Sequence, residues 1–237
     1  MSKTTWSETG YRSGSARYFA YMALTLLALA LLLVLPFYLD PEMRTFYLSE
    51  GGPIQVFSAA GYLVVATTIA REMSSAELRR HWYLVIVPVA MCLRELDFQA
   101  HFTTYSLTKT LLYVSPDVPL WEKLFGVIVF LVLGVAGYLL VARHFRAYLY
   151  GLPRFYVTSL AVAAAILSAI ASKALDGAES NLAFLGIDVS STFVSIAIEE
   201  VLELGIPLFL TIAVFSYFTP EAGRERAPQM RSAGTNG

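Results

Sequence analysis

Residues 191–218 read STFVSIAIEEVLELGIPLFLTIAVFSYF. The stretch is predominantly apolar and longer than the roughly 20 residues a helix needs to cross the hydrocarbon core of a bilayer. Yet Glu199, Glu200 and Glu203 stand inside it. It therefore reads as a membrane helix that carries three carboxylates.

The rest of the chain agrees with a lipid solvent. Of 237 residues, 57% are hydrophobic and 15% charged, and the mean hydropathy is +0.60. Soluble domains carry about 45–50% apolar and about 25% charged residues. Roughly 135 apolar residues suffice for about six spans joined by short connections. A soluble enzyme is excluded. Apolar runs fall at 18–38, 53–70, 82–101, 121–142, 155–175 and 191–218. The expected fold is an all-α, polytopic six-transmembrane-helix bundle. A polar tail (1–17) precedes the membrane domain (18–218). A tail at 219–237, with Pro220, Gly223, Pro228 and Gly234 and little to bury, is expected to be disordered. The first run lacks a small-residue cleavage site after it and reads as a retained span.

Basic residues set the orientation. Lys3, Arg12 and Arg17 precede the first run; Arg71, Arg79 and Arg80 follow the second; Arg143, Arg146 and Arg154 follow the fourth; Arg224, Arg226 and Arg231 follow the sixth. With six spans these segments share one side, and Lys/Arg bias marks that side as cytoplasmic. Both termini are then cytoplasmic, in the cell (inner) membrane. The net charge is −1, with 17 basic and 18 acidic residues, and no basic face invites nucleic acid. The only cysteine, Cys92, excludes an intrachain disulfide. The connection at 102–120 is long and partly apolar, and reads as an interfacial helix or cap. Small residues from Ser159 to Ser172 suggest that the fifth span packs closely at the centre of the bundle.

The polar residues inside spans carry the functional signal. The third run ends Arg94-Glu95-Leu96-Asp97-Phe98-Gln99-Ala100-His101. If the helix continues, Arg94, Asp97 and His101 share one stripe. In the sixth run, Ser191, Ser195, Glu199 and Glu203 recur every four residues, and Glu203 lies roughly 18 Å along the helix axis from Ser191. Pro207 removes the partner of the Glu203 carbonyl. Lys173 and Asp176 end the fifth run, and Glu50 precedes the second. A charge at a span centre costs at least about 2.5–3.5 kcal/mol, so intramembrane ionisable residues point to function. A plain structural account competes for several of them. Arg94 with one carboxylate could simply fix helix register, Lys173 and Asp176 could reach the headgroups, and Glu50 and His101 could be surface groups.

By this orientation these residues all belong to the outer half of the membrane. There the second, third, fifth and sixth spans would build an outward-facing polar cavity, and three functions fit it. The first is a membrane-embedded hydrolase or transferase acting on a lipid or lipid-linked substrate. Glu199, Glu203, Glu95 and Asp97 would be its catalytic carboxylates, and Arg94, Lys173 and Glu50 its substrate contacts. Glu199, Glu200, Asp97, His101 and Asp176 would hold a divalent metal. A carboxylate-rich set with one histidine favours Mg, Mn or Ca over Zn. The second is a proton- or cation-coupled transporter or channel, for which six short spans favour a homo-oligomer. The third is a non-catalytic membrane complex subunit or sensor, with the charges as internal glue.

Overall fold

The computed structural model describes residues 16–49, 51–176 and 193–218. All regular structure among them is helical: α1 (Ala16–Val34), α2 (Pro41–Tyr47), α3 (Pro53–Glu72), α4 (Ser75–Arg80), α5 (Tyr83–Glu95), α6 (Leu111–Val114), α7 (Leu120–Gly151), α8 (Val157–Asp176) and α9 (Phe193–Phe218). Five helical stretches are long and apolar enough to cross a membrane: Ala16–Phe37, Pro53–Glu72, Leu120–Arg154, Val157–Leu175 and Phe193–Phe218. This is the pattern of a multi-pass helical membrane protein. Large apolar side chains such as Leu24, Leu31, Ile128 and Leu131 point away from the chain's own core, as lipid-facing residues do.

The third expected span, 82–101, does not form as one helix. Its α-helical part, α5, has 13 residues and rises about 20 Å, short of the roughly 30 Å hydrocarbon core. The helix stops because Asp97 takes a left-handed conformation (φ 44°), which Asp tolerates better than most residues. A single 3-10 turn, Phe98–His101, follows. The stripe expected to join Arg94, Asp97 and His101 is therefore broken at its middle member. The connection beyond it contains the short helix α6.

The helices pack in a defined order, with α9 touching α8, α3 and α1, α3 touching α5, and α5 touching α7. Thus α9, rather than the small-residue helix α8, is the hub. Register is set by specific side chains. Thr158 and Ser216 hydroxyls meet at 2.8 Å, and Ser172 donates to Glu203, so α8 and α9 run antiparallel. Tyr18 donates to the Phe215 carbonyl, placing α1 antiparallel to α9 as well. The buried face of α8 is Ala161, Ala165, Ser168 and Ser172. These small side chains let the two backbones approach. On the other flank of α9, a Cβ added at Gly61 of α3 would lie 2.9 Å from Cβ of Pro207. Only glycine permits this crossing. Pro207 itself lacks the N–H that would bond the Glu203 carbonyl one turn earlier, and it is fully buried against α3.

Candidate functional site

Near that crossing, polar side chains of four helices come together. Glu203, about the middle of α9, accepts a hydrogen bond from Arg94 Nη2 of α5 at 3.1 Å and from Ser172 Oγ of α8 at 3.2 Å. Both donors use the same oxygen, Oε1. The Arg94 side chain is 56% exposed and that of Glu203 21%. The guanidinium therefore forms the open side of the site and the carboxylate its floor. Arg94 has five donor N–H groups, and its contact with Glu203 leaves others able to meet an incoming oxygen.

Glu95 is the second carboxylate. It is 6% exposed and within electrostatic reach of Glu203, Arg94 and Asp97. Among the described residues nothing donates a hydrogen bond to it. Tyr62 of α3 completes the group: its ring is buried against Ala59 and Cys92, and it too senses Glu95, Arg94 and Glu203. The Tyr62 hydroxyl is buried without a partner among the described residues, as is Ser58 Oγ one turn earlier on α3. Buried hydroxyls usually find a protein or water partner. The unpartnered Tyr62 hydroxyl and the Glu95 carboxylate, which accepts no hydrogen bond among the described residues, thus lie beside an Arg–Glu ion pair.

The other expected residues lie outside this hydrogen-bonded group, with Asp97 still within electrostatic reach of Glu95. Asp97 and His101 are exposed beyond the end of α5, with the His101 ring against Phe98. Glu199 and Glu200 are half-buried on α9, and Lys173 is exposed next to Ser172. Asp176 closes α8, but its side chain lies outside the described residues, as do Glu50 and Ser191. Among the described residues, no three His, Cys, Asp or Glu side chains come together as a metal site.

Two site members escape sequence reasoning. Tyr62 is an aromatic within an apolar run and looks like core, and Ser172 looks like another small packing residue. A polar hydroxyl every fourth residue, Ser58 and Tyr62, is the signal that could have found the first. A third group, Glu122 at the start of α7, shapes the cap over this end. It accepts from the Thr104 N–H at 2.7 Å and from the Thr104 hydroxyl at 3.2 Å. Gln99 binds the same segment through Ser106 and the Leu107 N–H. No protein-family model, curated protein or solved structure matches this chain.

Proposed function

We propose that the chain is a six-span protein of the cell (inner) membrane with cytoplasmic termini, the short α5 completing its crossing through the turn at Phe98–His101. Its Arg94–Glu203–Ser172 site, with Glu95 and Tyr62, is a membrane-embedded acid–base centre for a lipid or lipid-linked substrate. The reaction class is hydrolysis or group transfer. The observation that carries this reading is Glu203 pinned between Arg94 and Ser172 while Glu95 lies buried and unmatched alongside. A structural ion pair would need only one carboxylate for one guanidinium. Here the second carboxylate is kept at the cost of desolvation, which is the arrangement of a general base.

In this reading Arg94 binds a phosphoryl or carbonyl oxygen of the substrate and stabilises the negative charge that develops there. Glu203 and Ser172 fix the guanidinium in place. Glu95 accepts the proton of the attacking water or alcohol, which the Tyr62 hydroxyl hydrogen-bonds. The bond from the phosphoryl or carbonyl centre to the leaving oxygen breaks, and the protonated Glu95 returns the proton to that oxygen. Lys173, exposed beside Ser172, offers a second cation for an anionic headgroup. The described residues do not bring together the Glu199, Glu200, Asp97, His101 and Asp176 set in a way that suits a divalent ion, so no step passes through one. The cap at 102–119, tied down by Glu122 and Gln99, leaves Arg94 as the accessible edge, and this favours entry from one leaflet.

The test is mass-spectrometric comparison of membrane lipids from cells expressing wild type, Glu95→Gln and Glu203→Gln at equal levels. One lipid class should change in abundance with wild type and revert with both variants. Indistinguishable lipid profiles would overturn the enzyme reading. The buried, unpartnered Tyr62 hydroxyl within electrostatic reach of Glu95 favours a second reading, a proton-coupled carrier. That reading requires proton flux in sealed proteoliposomes that Glu95→Gln abolishes.

A further inference from the structure

An apolar groove of about 450 Å³ lies between α3, α5, α7, α8 and α9, at the end of the bundle opposite the site. It exists because α7 is held to the bundle chiefly through the short helix α5 and touches α8 only lightly. Val65, Met91, Val141, Val162, Leu210 and Val214 line it, and Phe145, Tyr148, Tyr217 and Phe218 surround its outer end. The volume is that of a small-molecule site, but almost nothing in the lining can hydrogen-bond. Aromatic side chains at one end are what a membrane–water interface selects.

Charge stands at that same end. His144 lines the groove and its Nε2 is 3.0 Å from the Tyr83 hydroxyl. The Arg143 guanidinium lies 5.5 Å over the Tyr83 ring and donates to the Arg80 carbonyl at 3.0 Å. The side chains of Arg80 and Arg143 are both exposed. A groove that is apolar inside and cationic at its mouth matches one occupant, an amphiphile with a negative head. Basic pockets between membrane helices bind anionic headgroups.

We propose that this groove holds one acyl chain of an anionic phospholipid, with the phosphate against Arg143 and Arg80. The lipid comes from the leaflet at the arginine-bearing end. The acyl chain lies between α7 and the rest of the bundle and ends near Met91, three residues before Arg94. The lipid is thus distinct from a substrate at Arg94, and its binding does not depend on the acid–base reading.

The experiment is native mass spectrometry of the full chain, delipidated in detergent and titrated with phosphatidylglycerol or phosphatidylcholine of identical acyl chains. Two variants accompany it. Arg143→Gln removes the head contact. Val141→Trp fills the groove from a position that is 55% exposed and so tolerates a larger side chain. Wild type should bind phosphatidylglycerol at least tenfold more tightly than phosphatidylcholine. Arg143→Gln should erase that preference, and Val141→Trp should weaken both lipids, while both variants keep the wild-type circular dichroism. Equal binding of the two lipids by wild type would overturn the proposal. So would unchanged binding by Val141→Trp, including the case in which that variant instead splits a dimer seated on the groove.

Discussion

Glu95 and Glu122 are both 6% exposed, one at the last residue of α5 and the other in the first turn of α7, helices that pack together. Glu122 accepts two hydrogen bonds from Thr104 and sits at a helix N-terminus, where the helix dipole favours a negative charge. Glu95 has neither advantage: it accepts no hydrogen bond among the described residues and lies at a helix C-terminus. Equal burial thus conceals opposite situations. One carboxylate holds the fold together, and the other is a liability to the fold, as the proposed acid–base role would require.

Exchange of the two carboxylates for amides offers the sharpest way to break this comparison. Glu122→Gln converts one acceptor of the Thr104 hydrogen bonds into a donor, and bonds to a charged group are worth about 1.5–3 kcal/mol. Thermal or detergent-titrated unfolding should show a loss of about 2 kcal/mol, with residual activity tracking the folded fraction. Glu95→Gln should leave unfolding within about 1 kcal/mol of wild type, or raise stability, because it removes an uncompensated buried charge. If Glu95→Gln destabilises as much as Glu122→Gln, the contrast between them collapses.

The neighbouring hydroxyls allow a gentler version. Thr104→Val deletes a hydroxyl that bonds Glu122 and should cost about 1 kcal/mol in unfolding. Tyr62→Phe deletes one with no partner among the described residues, and should change stability by no more than a few tenths of a kcal/mol. Any function of the site should suffer more from the tyrosine change than from the threonine change.

The smallest effect comes from the opposite end. His81 is buried, and burial pushes its imidazole below the ordinary value of 6.5, with the Arg143 and Arg80 charges adding to this against a hydrogen bond to the Glu77 carbonyl. As pH falls the unfolded chain takes up this proton first, so stability declines below about pH 6.5 and is untouched above it. Unfolding midpoints at pH 7.5 and 5.5 should differ, and His81→Gln should narrow the difference. A pH dependence that survives the substitution would assign it to other groups.

Hydropathy reveals five long helices because each is a nearly unbroken apolar run. It does not see the end of α5, since a left-handed Asp97 costs nothing in hydropathy and resets the direction of every later side chain. Asp97 and His101 were therefore expected on the site face and stand exposed. Arg94, Glu95 and Glu203 were legible because charge inside an apolar run has few innocuous explanations. Ser172 and Tyr62 were not, because a serine among alanines and a tyrosine among valines are ordinary packing residues until a neighbour gives them a partner or withholds one. Glu122 was overlooked for the converse reason: a carboxylate beside a loop looks solvated, and only the fold buries it.

Pro207 gives α9 a mechanical property of its own. A helix resists bending through its ladder of backbone bonds, and this ladder lacks a rung where the proline follows Glu203 by one turn. Compliance is therefore concentrated immediately beside the carboxylate that Arg94 and Ser172 grip. Gly61 braces the same spot from α3 with no side chain to spare. The half of α9 bearing Glu199, Glu200 and Glu203 is in effect a lever whose fulcrum is a proline clamped on a glycine.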